Sequence, residues 1–205
     1  MSKTSGFQNR ASAKDDPDDF PTPPWATRGF LHYAMPTVAP YETVWEPAAN
    51  RGCMVRPLAE RFGLVIASDF EDYGAGYPTV DFLNGPSPTD FGQRVDWVIT
   101  NPPLNKAEAF LDRALSVVAV GVAFILRASW AEGQGRYERV FKDRPPTLIA
   151  QHTERVPMVR GRLDRKAVTQ IPYAWFMWRK EGALFTEMTW IPPCRKHFER
   201  DTDYA

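Results

Sequence analysis

Apolar positions along this chain fall into short runs that alternate between two periods. Residues 43–47, 64–68, 78–83, 95–100, 121–126, 147–151 and 173–179 read as strands, short and rich in Val, Ile, Phe and Trp. Between them, residues 26–34, 54–62, 106–118 and 132–141 place their apolar side chains at helical spacing, as in Phe110, Leu111, Ala114, Leu115 and Val118. Pro57 is tolerated in the first turn of its helix, and Asn50 and Gly52 before it suit a tight turn. Strands alternating with helices predict an α/β fold. The expected architecture is a Rossmann-like, doubly wound, mostly parallel seven-stranded sheet in three α-β-α layers. The last two runs have no helix between them, only about 20 residues of loop, so the last strand is expected to be antiparallel.

Composition narrows the class. At 205 residues the chain suits one domain. Residues 1–19 read as a disordered arm, 20–192 as the domain and 193–205 as a C-terminal tail. No apolar run approaches the roughly 18 residues that span a bilayer, and the polar N-terminus lacks the apolar core of an export signal, so cytoplasm is the expected location. Two cysteines and three histidines form no standard metal spacing; Cys194 and His197 together read as polar tail, and no metal is expected. The net charge is zero, yet between residues 151 and 180 seven basic residues face two acidic ones. The cluster Arg160, Arg162, Arg165 and Lys166 lies in the long loop, where it would contact nucleic-acid phosphates.

Unusual polar residues gather at strand ends. Glu46, followed by Ala48, Asn50 and Gly52, ends the first strand; Asp69 ends the second; Asp81 and Phe82 close the third; Asn101-Pro102-Pro103-Leu104 follows the fourth. In a doubly wound sheet these ends converge on one crevice. Glu46 would repel a pyrophosphate and suits a ligand with a cationic amino group. Asp69 stands where an acid grips ribose hydroxyls. Asp81 can accept from an adenine amino group while Phe82 packs on the ring. The prolines after Asn101 make a stiff exit whose carbonyls have few donors nearby.

These motifs resemble class I S-adenosylmethionine-dependent methyltransferases, and in particular the phage and prophage adenine-N6 DNA methyltransferases. Asn101-Pro102-Pro103-Leu104 is similar to their catalytic motif, Glu46-Pro47-Ala48 to Gly52 to their first cofactor motif, and Thr22-Pro23-Pro24 to their N-terminal cofactor segment. The resemblance implies S-adenosyl-L-methionine as cofactor, DNA as partner, and an Asn101 oxygen and a Pro102 carbonyl that accept the two hydrogens of an exocyclic amine. One departure is Leu104, where the family usually has an aromatic that stacks on the flipped base. Trp130 is the candidate for a second stacking face. Pro193-Cys194 resembles the nucleophile of cytosine-C5 methyltransferases but lies in the wrong place. With about 25 residues after Lys180, no target-recognition domain is expected, so specificity would come from loops, a homodimer or a phage-encoded partner. Rival readings are methylation of cytosine N4, an RNA base or a protein glutamine amide, and a catalytically weak binding module of the same fold.

Overall fold

A computed structural model describes residues 18–204. The expected N-terminal arm lies outside the described residues as far as residue 17. Helix α1 (Pro24–Tyr33) starts on a proline, which needs no amide partner there and is preset for helical φ. Eight of its residues are buried, so it is enclosed on all sides, with Phe30 stacked on Trp175 at 4.3 Å. After it come β1 (Thr43–Glu46), α2 (Val55–Ala59), β2 (Leu64–Ala67), β3 (Trp97–Thr100), α3 (Ala107–Val117) and β4 (Gly121–Arg127). A turn of α-helix, α4 (Gln134–Arg136), continues as a π-helix over Tyr137–Phe141, and then β5 (Leu148–His152), β6 (Tyr173–Arg179), β7 (Glu187–Ile191) and α5 (Arg195–Phe198) complete the chain.

The strands form one sheet in the order β2-β1-β3-β4-β6-β5-β7. Its parallel part runs from β2 to β4. Strand β6 is antiparallel to both β4 and β5, with Phe124 opposite Phe176 and Ile149 opposite the same residue on the other side. Only this strand is reversed, because β7 returns parallel to β5. The expected doubly wound, mostly parallel sheet forms, and residues 173–179, expected as an antiparallel last strand, are antiparallel but sixth, with β7 following them parallel to β5. Two apolar layers flank it. One joins α1 and α2 to Val44, Ile99, Ile125 and Trp175; the other joins α3 to Val98, Phe124 and Phe176.

Three stretches differ from the expectation. Residues 78–83 make no strand: Thr79 forms an isolated bridge to Asp69, and the Asp81 carboxylate accepts the amides of Leu83 and Asn84, closing a turn. Proline at 78 and an acid that captures its own backbone oppose a ladder. The seventh strand is β7 instead. It carries no readable alternation because it is an edge strand that buries only Ile191, leaving Met188 and Trp190 exposed. The residues expected as a C-terminal tail, 193–204, form α5 and a 3-10 turn docked on α1. Arg28 of α1, 6% exposed, binds Asp203, 2% exposed, at 2.8 Å, and also Glu60 at 3.0 Å.

Candidate active site

The chain leaves β1 toward β2 at one side and returns to β3 on the other, so a crevice opens between β1 and β3 at their C-terminal ends. A cavity of about 680 Å³ lies there. Its wall is built from the turns after β1, β2 and β3, with the segment 18–22 across it. Thr22, Ala48, Asn50, Asp69, Asp81, Phe82, Asn101, Pro103 and Leu104 all line it, so the structure brings together nine of the thirteen residues expected for catalysis and cofactor binding.

The turn after β1 is shaped by two left-handed residues, Asn50 at φ 50° and Gly52 at φ 76°. Asn is among the few side chains that enter this region readily. Gly52 has a further reason to lack a side chain: a Cβ there would collide with the Tyr77 hydroxyl. Gly52 itself does not line the cavity. Asp69 fixes the turn from β2, its carboxylate accepting the Asn50 amide at 2.8 Å and the Glu71 amide at 3.0 Å. Burial raises the Asp69 pKa, and those amides counter the rise. Asp81 is partly exposed and holds its own turn; the Asn84 side chain keeps its carboxyl below the ordinary range.

Glu46, the last residue of β1 and directly before the wall residues Pro47 and Ala48, is fully buried and does not itself line the cavity. Its Oε1 accepts the Ala48 amide at 3.0 Å, while Oε2 has no hydrogen-bond partner among the described residues. Burial, with the charge of Asp69 adding to it, pushes the Glu46 pKa up to about 8. Thr100 lies close enough to oppose that shift, but its hydroxyl makes no well-formed hydrogen bond. An orphaned buried carboxylate oxygen is costly unless a cationic group satisfies it.

At β3, the Pro102 ring is buried and Asn101, Pro103 and Leu104 face the cavity. The Asn101 amide nitrogen donates to the Phe20 carbonyl at 3.0 Å, and the Leu104 amide donates to Asp18 at 3.1 Å. Leu104 is partly buried, packed on the α3 layer. Asp19 accepts from the Asn50 side chain at 2.8 Å and from Arg51 at 2.7 Å. Although burial opposes it, these partners hold the Asp19 carboxyl below its usual range.

Other expected residues lie elsewhere. Pro23 precedes α1 as its N-cap and does not line the cavity. Trp130 is 5% exposed and packs on Phe141, Phe176 and Trp178, so it is a core residue that offers no face to the cavity. In the loop 153–172, Gly161 donates its amide to the Asp19 carbonyl at 2.9 Å, and the charge of neighbouring Arg160 acts on the Asp19 carboxyl. Arg162 pairs with Asp164, and Lys166 is exposed. Arg165 turns away, bound to Asp201 at 2.7 Å and stacked over Tyr204. Sequence reading missed Asp18, Phe20, Phe70, Tyr73 and Lys106, all lining the cavity. Asp18 and Phe20 carry no motif, and only the fold carries them to the strand ends.

No family model and no curated protein matches the sequence. Solved structures do match. A type I restriction-modification methyltransferase subunit from Streptococcus thermophilus superposes with a TM-score of 0.54 at 14% identity, over 78% of this chain and 44% of that one. A proposed RNA methyltransferase from Pyrococcus horikoshii gives 0.51 at 18% identity, over 74% and 81%. The 23S rRNA methyltransferase ErmE gives 0.50 at 18% identity, over 78% and 69%. The chain has the Rossmann-like fold that these proteins share. Among the described residues, no helix is long and apolar enough to cross a membrane, and no cluster of His, Cys, Asp and Glu could hold a metal ion.

Proposed function

We propose that this protein is an S-adenosyl-L-methionine-dependent N-methyltransferase acting on the exocyclic N6 of adenine in DNA. The observation that carries the reading is the convergence of Asn101, Pro103 and Leu104 with Asp69, Asp81, Asn50 and Ala48 on one cavity, with a buried Glu46 oxygen that has no hydrogen-bond partner among the described residues two positions before Ala48. A volume near 680 Å³ is ample for a nucleoside-sized cofactor with a base beside it. The residues fit such a cofactor. Asp69 would take the ribose hydroxyls, Asp81 and Phe82 the adenine, and Glu46 the charge of the amino-acid end. When bound, the cofactor supplies an electrophilic methyl on a sulfonium.

The protein's own share is positioning. An aromatic amine is a poor nucleophile because its lone pair is delocalised into the ring. Acceptors at the Asn101 side chain and the Pro102 carbonyl would bind both amino hydrogens, draw the nitrogen toward tetrahedral geometry and aim its lone pair. A base reaches such a pocket only from a single strand or after flipping. Arg160, Arg162 and Lys166, on the loop that touches the cavity rim, support nucleic acid over protein as substrate. The restriction-modification and rRNA methyltransferase names among the structural neighbours agree with that class.

The test is transfer of tritiated methyl to DNA, RNA and protein, with nucleoside analysis of the product. N6-methyladenine in DNA is the expected result; label only in RNA or in a glutamine amide would move the substrate and leave the mechanism standing. Asn101→Ala should lower transfer by about a hundredfold or more. Cofactor affinity, measured by calorimetry, should stay within about twofold, because the lost contact belongs to the transition state.

A further inference from the structure

A carboxamide has two chemically opposite ends. Its oxygen accepts hydrogen bonds and its nitrogen donates two. For Asn101 the distinction decides whether an amine is bound or repelled, since only the oxygen complements N–H groups. Rotating the amide by half a turn would set donor against donor. Both hydrogens of the Asn101 nitrogen are accounted for: Nδ2 lies 3.0 Å from the Phe20 carbonyl and 3.7 Å from the Met158 sulfur. The sulfur distance is long for oxygen but normal for the larger, softer acceptor.

Phe20 is itself pinned. Its amide donates to the Asp18 carbonyl at 3.0 Å, and Asp18 and Asp19 reach to either side, to the Leu104 amide and to Asn50 with Arg51. Gly161 holds the Asp19 carbonyl from the basic loop, three residues beyond buried Met158. Segment 18–20 and the loop thus meet over the catalytic tetrapeptide.

We propose that the Phe20 carbonyl and the Met158 sulfur are positioning groups, which lock the Asn101 amide with its oxygen toward the acceptor amine. This rests on the methyltransferase reading above. It makes residues 18–20 a working part of the site, beyond the stretch where a cofactor motif was expected.

Asn101→Asp separates this from a role for polarity alone. A carboxylate accepts amino hydrogens well, so without the lock the substitution should be mild. With it, an anionic oxygen faces the Phe20 carbonyl with no proton between them, and kcat at pH 8 should fall by about a hundredfold. Lowering the pH protonates the carboxyl, which then donates to Phe20 while its carbonyl oxygen accepts from the amine. Activity of this variant should therefore rise as pH falls, a slope the wild type lacks. Met158→Leu keeps the volume and removes the acceptor; kcat should fall by about two- to fivefold with KM for the cofactor unchanged. Added to Asn101→Asp, it should have no further effect. In NMR, exchange of the Asn101 side-chain amide hydrogens should be slow in the wild type and faster in Met158→Leu. Near wild-type rates for Asn101→Asp at pH 8, or exchange unaffected by Met158→Leu, would overturn the proposal. Absence of transfer by the wild type to DNA, RNA and protein alike would instead remove the functional reading, and the catalytic side of this proposal with it.

Discussion

At the scale of single residues, Glu46 shows a conflict between stability and binding. An ordinary glutamate carboxyl titrates at 4.5, and burial moves this one to about 8. Between those values the folded chain holds a proton that the unfolded chain has released. Stability therefore falls as pH rises through that window and is flat above it. Glu46→Gln should remove the slope and raise the melting temperature at pH 8, by an amount on the order of a few kcal/mol in stability. The same change should weaken S-adenosylmethionine binding at pH 8 by about tenfold or more, since the carboxyl can give up its proton to match a cationic amino group and an amide cannot. Thermal melts at pH 5 and pH 8, with calorimetry, read both effects. Nothing at position 46 in the sequence distinguishes an exposed strand-end acid from a buried one. That difference comes from the layers above it, Pro47 and Ala48 at the cavity wall and Thr100 beside the carboxyl.

At the scale of elements, the strands and helices with two-sided or one-sided burial were legible. Strands β1, β3 and β4 are buried on both faces, and their apolar runs show it. The segments that misled are those whose partners are remote. Residues 78–83 have strand-like composition but no neighbour to pair with beyond Asp69, and β7 has neighbours but no hydrophobic pattern. The end of the chain is held by charge: Arg28, Glu60 and Asp203 join α1, α2 and the last turn, with Arg200 adding a contact to Glu60 at 2.8 Å. Removing one member of a buried ion pair strands the other. Arg28→Ala should cost about 3 to 5 kcal/mol in chemical unfolding, leaving the buried Asp203 carboxylate without its guanidinium. A loss below about 1 kcal/mol would mean that the C-terminal segment docks through apolar contacts alone.

At the scale of the whole molecule, the expectation of a nucleic-acid substrate depends on where one loop lies. The basic residues were readable as a cluster, but the fold divides them. Gly161 ties the loop beside Arg160 to Asp19, and Arg162 has an exposed 3.3 Å contact with Asp164, whereas Arg165 is held by Asp201 at 2.7 Å and stacked over Tyr204. Arg160→Ala and Arg162→Ala should each reduce the slope of log affinity against log salt by about 1 on DNA, as expected for one phosphate contact. Arg165→Ala should leave the slope unchanged. Fluorescence anisotropy across a salt series measures all three, and equal effects of all three would remove the assigned geometry.

The sequence by itself determined the alternation of strands and helices, the reversal late in the sheet, and the chemistry waiting at the strand ends. These are local properties: periodicity, proline stiffness and the permissive backbone of Asn50 and Gly52 need no distant partner to be read. Tertiary structure alone decided which of them share a cavity. It buried Glu46 and Trp130, placed β7 at the edge, and carried Asp18, Asp19 and Phe20 across to Leu104, Asn50 and Asn101 respectively. The reason is that burial and hydrogen-bond partnership belong to pairs of residues far apart in the chain. The Asn101 and Phe20 contact spans 81 positions, a separation that no short-range pattern encodes.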